Sequence, residues 1–507
     1  MLQKIKTAMK ARVSWVERHF EILLIVAALM AMGLSLAIGL SQSVWFDESY
    51  SIFLARQSTD QLLYLTSIDT HPPLYYLLLK GWAAIFGFGE TALRSLSVVA
   101  MGGAVVMAGL LLRRMFSAKI AAIALPFVVF APMLLRYGFE IRMYAVAMLI
   151  GIIATYVLVA ALHASRRNQW VLYALYAVLV AAGTLTLYYM VLLWFAHLVW
   201  LIWQARREKK PIFKTPWLVA LVGGALLFLP WLPVFLTQVS NNALAPVTQA
   251  LTLDNLMGIL SFLFIYQPAW QVGPFLSLVL LAVIVLLAIL LTKLFRLADK
   301  KQRTYLLLLT LYILVPIAVL ALVSLVRPMY LERYLSHVSI AGYMLVGVTI
   351  GILMTKKPSK KLHLAGAGIL AVLLIGVVQL AQVGNYNYQR LYKPTAKQVA
   401  AEITECNADT TILADDPYIA MELSYYLPDC EIRFYSETAE LTGGYAPLSN
   451  SPLHVADPAV ELAGSRELIY IYYNEPTLTM PETLTAASRI THGQLNIAWF
   501  YAEGVTP

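Results

Sequence analysis

Asp47 and Glu48 stand side by side in Trp45-Phe46-Asp47-Glu48-Ser49-Tyr50, directly after an apolar run long enough to cross a membrane. Desolvating two carboxylates is too costly for them to face lipid, so the pair belongs in a polar cavity or at an aqueous boundary. Two roles fit. The acids can take a proton from a hydroxyl, or they can cap the next helix, whose dipole and free N–H groups favour negative charge. Further along, Glu140, His71, Lys80, Arg94, Arg142, Arg327 and Arg333 fall on the same side of the membrane, among many tyrosines. A cavity with acids on one wall and cations on another suits a reaction in which a hydroxyl loses its proton while an anion such as phosphate departs. Several cations near one bilayer surface point to a phosphate carried by a lipid. Each residue also has a plainer reading. Arg94 and Arg333 sit at predicted helix ends, where snorkelling to the interface is ordinary, and Glu140 with Arg142 can be a neutralising pair in a tight loop. His71 precedes two prolines that hold its backbone extended.

The elements that must position these residues are membrane-spanning helices. Of 507 residues, 60% are hydrophobic and 13% charged, with mean hydropathy +0.71, which excludes a soluble globular domain and predicts a polytopic all-α membrane protein. The net charge of +9 does not call for nucleic acid, because the basic residues cluster in short segments between apolar runs, as topology signals do. The first apolar run, residues 22–40, exceeds a signal peptide's apolar region and lacks a small-residue cleavage pattern, so it reads as an anchor. Residues 1–20 form a basic cytoplasmic leader, 21–382 a transmembrane domain, and about 47–90 its first outer loop.

Residues 74–86 could span or lie in the interface with Tyr75, Tyr76 and Trp82 at headgroup level. Charge decides for the interface. With later spans at 91–112, 119–136, 143–163, 169–187, 189–205, 214–236, 273–295, 304–326, 335–354 and 361–382, all the basic clusters fall inside, whereas an extra span would put them outside. About eleven spans result, with the N-terminus inside and the C-terminal segment outside. Residues 383–507 have a soluble composition in which predicted strands at 411–413, 431–435, 468–473 and 495–501 mix with helices at 395–405 and 418–427, a small extracytoplasmic α/β domain. Asp415 and Asp416 read there as turn and N-cap residues. Cys406 and Cys430 fit either a structural disulfide or two thiols.

Three segments in order resemble the membrane glycosyltransferases of the GT-C fold: Trp45-Phe46-Asp47-Glu48, His71-Pro72-Pro73-Leu74-Tyr75-Tyr76 and Gly89-Glu90-Thr91-Ala92-Leu93-Arg94. Their order and spacing are similar to those of the branch holding protein O-mannosyltransferases and the lipid A aminoarabinose transferase. Residues 136–144, from Arg136 to Tyr144, resemble a second outer-loop motif, and Arg327-Pro328 with Glu332-Arg333-Tyr334-Leu335 a late Arg-Tyr motif. The resemblance covers roughly residues 20–350.

It implies a GT-C-like helical bundle, a polyprenyl-phosphate-linked sugar as donor, and a cell-envelope glycan, lipid or protein as acceptor. Asp47 then deprotonates the acceptor hydroxyl and the sugar transfers with inversion, while Glu48 and Glu140 orient hydroxyls. His71 stands where many relatives have Lys, which would meet donor phosphate. Arg94, Arg142 and Arg333 are further phosphate ligands, with Tyr144 and Tyr334 beside them in the motifs. No cofactor is implied, although Asp47, Glu48 and Glu140 could make an oxygen-rich cation site if they converged. The rival reading is a transporter or flippase of a lipid-linked substrate, but that class places charges near the bilayer midplane and often carries internal repeats, and here the charges collect at one surface.

Overall fold

The computed structural model describes residues 15–240, 258, 261–266, 273–329, 331–383, 396–403, 406, 409–441, 443–476, 478–492 and 495–505. The leader up to residue 14 and much of the connection between residues 237 and 273 lie outside these described residues. Among them, nine helices are long and apolar enough to cross a membrane, from Phe20–Leu40 to Lys360–Gln382. Two of the expected spans take another form. Residues 119–136 are split into Ala118–Val129 and Pro132–Tyr137. Pro132 has no N–H for the preceding turn and pushes Ala131 into an extended conformation, so the helix restarts there. Residues 189–205 form the 18-residue helix Met190–Arg207, which carries His197, Gln204, Arg206 and Arg207 and is less apolar than the nine.

The chain divides into two compact units, residues 1–39, 94–236 and 247–382, and residues 40–93, 237–246 and 383–507. In the larger unit Leu278, Leu281 and Leu322 point outward from helices of mean hydropathy about 3, a surface only lipid would solvate. Its tightest packing joins Ser336–Lys356 to Ala118–Val129. Gly347 and Gly351, four residues apart, let the two backbones touch: a Cβ on Gly347 would sit 2.6 Å from the Ala124 Cα.

The smaller unit holds helices Phe46–Arg56, Thr59–Ile68 and Leu74–Phe86 together with a six-stranded sheet. Leu74–Phe86 has 13 residues, and at about 1.5 Å each it falls short of a bilayer core of about 30 Å. Tyr75 and Tyr76, expected at headgroup level, are instead fully buried, because this helix packs on Phe46–Arg56 and turns both rings inward. The strands are β1 (Thr410–Ala414), β2 (Ile432–Tyr435), β3 (His454–Val455), β4 (Glu467–Tyr473), β5 (Leu484–His492) and β6 (Leu495–Ala502). They run in the order β3-β2-β1-β4-β6-β5, parallel from β3 to β4 and antiparallel through β6 and β5. Ile412, Ala414, Ile469, Ile471 and Ile497 form the core against Ala396–Glu402 and Pro417–Tyr426. Cys406 and Cys430 are joined in a disulfide with Cα atoms 5.4 Å apart, a cross-link worth about 2–4 kcal/mol.

Candidate functional site

In the smaller unit, Asp47 and Glu48 occupy the first turn of Phe46–Arg56. The Glu48 side chain is 1% exposed and accepts from the Trp45 N–H at 3.4 Å, so the capping bond is Glu48's. The Asp47 main-chain oxygen accepts the Ser51 hydroxyl at 2.8 Å, within the helix. The approach to this turn is held from far along the chain. The Tyr426 hydroxyl accepts the buried Val44 N–H at 2.7 Å and lies 3.2 Å from the Ser43 hydroxyl. Tyr418, from the same helix as Tyr426, meets the Phe46 ring edge-on with centroids 4.0 Å apart. Asp47 therefore sits on a turn clamped just before it and stacked beside it.

His71 lies in the turn between Thr59–Ile68 and Leu74–Phe86, ahead of buried Pro72 and Pro73. Its Nδ1 is 3.3 Å from the Asp69 carboxylate and 2.9 Å from the Thr70 hydroxyl, and Asp69 is 1% exposed. The Gln238 amide donates to the Thr66 carbonyl at 2.8 Å and braces the turn. Lys80 donates to the Gln57 carbonyl, which ties Leu74–Phe86 to the end of Phe46–Arg56.

In the larger unit, Arg94 is fully buried and donates to the Gly39 carbonyl. Its guanidinium stands over the Phe139 ring at 5.8 Å, and that of Arg136 over the same ring at 5.1 Å. Glu140 is 1% exposed and pairs with Arg136 Nη2 at 3.0 Å, one helical turn apart in sequence. The Ser97 hydroxyl donates to the Glu140 carbonyl, and the Arg142 N–H donates to the same carbonyl at 2.7 Å, closing a tight turn. Arg142 is 2% exposed and Tyr144 fully buried, its ring 4.8 Å from that of Tyr137. The structure thus gathers Arg94, Arg136, Phe139 and Glu140 in one buried group, with Arg142 and Tyr144 in the continuation of the loop. Arg333 and Tyr334 belong to the 3₁₀ turn Glu332–Leu335. Tyr334 stacks on Tyr189 at 4.6 Å, and the Tyr189 hydroxyl donates to the Met329 carbonyl at 2.8 Å.

Sequence reasoning gave no role to Arg136, Asp69 or Ser97. The signals were present for the first two: Arg136 and Glu140 have the spacing of a helical ion pair, and Asp69 lies two residues before a histidine whose backbone two prolines hold. Ser97 had no such signal, since its partner lies 43 positions away. Asp415 and Asp416 behave as read. Asp416 accepts from the Ile419 N–H at 2.9 Å as an N-cap, and Asp415 accepts the Tyr470 hydroxyl at 2.8 Å. Burial, with Asp415 adding repulsion, raises the Asp416 pKa to about 6. His197 is a core residue, bonded to Thr155 at 3.1 Å and Tyr176 at 2.8 Å. Among the described residues, no three His, Cys, Asp or Glu side chains form a group that could hold a metal ion.

Residues 70–234 match the family model described as dolichyl-phosphate-mannose-protein mannosyltransferase. The fold is similar to a crystal structure of ArnT from Cupriavidus metallidurans bound to undecaprenyl phosphate, with TM-score 0.60 and 14% identity over 94% of this chain and 97% of that one. The apo form of the same protein gives TM-score 0.61 and 12% identity, covering 96% and 98%. No curated protein sequence matches the chain.

Proposed function

From an integral membrane chain with the GT-C fold of the O-mannosyltransferase and ArnT-like branch, we propose an inverting glycosyltransferase that moves a sugar from a polyprenyl-phosphate donor to an envelope acceptor. The observation that supports this most is the buried group in the larger unit. Arg94, Arg136 and Arg142 are 0%, 3% and 2% exposed in a helical unit otherwise packed with apolar side chains. Arg94 and Arg136 both stand over the Phe139 ring, Arg136 pairs with the carboxylate of Glu140, and Arg142 lies in the same turn as Glu140. Planar guanidinium groups with permanent charge match phosphate oxygens.

In this reading Asp47 takes the proton of the acceptor hydroxyl, and that oxygen attacks the anomeric carbon as the lipid phosphate leaves. Glu48, already bonded to the turn that carries Asp47, keeps that turn in shape and orients a substrate hydroxyl, and Glu140 does the same beside Arg136. Arg94, Arg142, Arg333 and His71 balance the charge gathering on the phosphate, with Tyr144 and Tyr334 beside them. The working face is extracytoplasmic, as is the C-terminal α/β domain, and the N-terminus is inside. The test is incubation of purified protein with a panel of polyprenyl-phosphate sugars, read as released polyprenyl phosphate. Release with at least one donor, and an apparent donor requirement raised about tenfold or more by Arg333→Ala with acceptor preference unchanged, is the expected result. Release from none, or a change in acceptor preference alone, overturns the reading.

A further inference from the structure

The larger unit has a second gathering of cations, in a cavity of about 400 Å³ at the corner between helices Pro274–Leu297 and Lys300–Ser324. It lies at the other end of the unit from the Tyr334 turn. Tyr189, just ahead of helix Met190–Arg207, stacks on Tyr334, while Arg207, at the far end of that helix, lines the cavity. Eighteen residues at about 1.5 Å each put about 27 Å between them. The polar wall is cationic: Arg207, Lys300 and Arg303 against one acid, Asp299. That acid is answered by its own corner, since it accepts the Gln302 N–H at 2.9 Å as a helix cap and lies 3.7 Å from the Lys356 ammonium. Both guanidinium groups are held in place. Arg207 Nη1 donates to the Thr304 hydroxyl at 3.3 Å and its guanidinium stands over the Trp203 ring at 5.2 Å. Arg303, the residue before Thr304, donates from Nε to the Ala298 carbonyl at 3.0 Å. Each bond uses one of the five N–H groups of an arginine, and what remains is a fixed pair of forks suited to the oxygens of a phosphate.

The other wall is apolar, and it decides which phosphate fits. Phe295 is 53% exposed there, beside Trp203. By helical spacing it shares a face with Leu281, Val285 and Ile289, all exposed along Pro274–Leu297. A small soluble phosphate would leave this face uncovered. A phospholipid covers it with an acyl chain and brings its headgroup to the cations. We propose that the cavity binds the headgroup of an anionic phospholipid, with the phosphate on Arg207 and Arg303, Lys300 at the rim and an acyl chain along the Phe295 face. The site is separate from the one proposed for the donor and stands or falls without it.

The probe is phosphatidylglycerol titrated onto the purified full-length protein in neutral detergent at about 0.15 M salt, where diffuse charge is screened, with retained lipid read by native mass spectrometry. Phosphatidylcholine serves as the lipid without net charge and glycerol 1-phosphate as the soluble phosphate. Phosphatidylglycerol is expected to bind at least about tenfold more tightly than either. Arg207→Gln combined with Arg303→Gln is expected to weaken it about thirtyfold, the worth of two cations at a lipid phosphate. Lys293→Gln combined with Arg296→Gln removes the same charge from the same helix end without touching the cavity wall, and is expected to weaken it less than about threefold. Equal losses from the two double variants would reduce the cations to a diffuse surface charge and overturn the inference. Phosphatidylcholine binding as tightly, or glycerol 1-phosphate displacing the lipid at equal concentration, would overturn it too. Lys300→Gln disturbs none of the bonds that hold the corner and is expected to cost about fivefold; if the double arginine variant does not fold, an unchanged affinity in Lys300→Gln overturns the inference in its place.

Discussion

Two helices of the smaller unit open on an acidic dipeptide, and the two pairs are used differently. At Asp415-Asp416, the first acid accepts the Tyr470 hydroxyl and the second caps the Ile419 N–H, so both are accounted for inside the α/β domain. At Asp47-Glu48, the capping bond comes from the second acid, within the first turn of the helix, and Asp47 rides on that turn. A helix start explains an acid when the acid bonds the helix start. Asp416 meets that condition at 2.9 Å, and its neighbour meets a tyrosine instead. The pairs are also joined, since Tyr418 and Tyr426 of the helix behind Asp416 reach Phe46 and Val44 ahead of Asp47.

The sharpest break of this comparison is isosteric removal of one charge from each pair. Asp47→Asn is expected to lower transfer about 100- to 10,000-fold, the range of a lost general base, with protein yield and donor binding kept. Asp416→Asn keeps the cap, since asparagine is as good an N-cap as aspartate, and is expected to leave transfer unchanged. Measuring released polyprenyl phosphate from both variants decides the matter. Full activity in the first variant removes Asp47 from the base role, and inactivity in the second makes the α/β corner part of the chemistry.

A smaller effect is expected where the pairs touch. Tyr426→Phe keeps the ring but leaves the buried Val44 N–H without its 2.7 Å acceptor, a loss of about 1–3 kcal/mol. Part of that strain falls on the turn carrying Asp47, so kcat should drop several-fold with the donor KM unchanged. A donor KM that rises instead, with kcat intact, would show that Tyr426 does not hold the acid.

That contact also marks what the sequence could and could not reveal. Bonds between near neighbours were within reach: Asp416 to Ile419, Arg136 to Glu140, and His71 to Asp69 all follow from short-range geometry, though only the first was read as such. Val44 with Tyr426 and Arg94 with Gly39 are 382 and 55 positions apart, and no local pattern encodes such pairs. The nine long apolar helices were legible because twenty apolar residues in a row have few other uses. β5 was not, since most of Leu484–His492 is exposed on a sheet edge and shows no apolar alternation, and β3 has only two residues. Pro132 was visible, but helix breakage there depends on neighbours that could have bonded the freed carbonyls.

The smallest effect concerns stability alone. The Asp416 pKa lies near 6 in the folded protein against 3.8 for the ordinary side chain, so the native state holds an extra proton between those values. A raised folded pKa gives stability that is fully present below the unfolded value and is lost as pH rises through the folded one. From pH 4.5 to 7 this single group should therefore cost at most about 2 kcal/mol. Asp416→Asn does not titrate, so its melting temperature should fall less over that range than that of the wild type, the difference opening above about pH 4 and levelling off past pH 6. Parallel curves would mean that Asp416 is charged in the folded domain throughout. The contrast between the two pairs would then rest on hydrogen bonding alone.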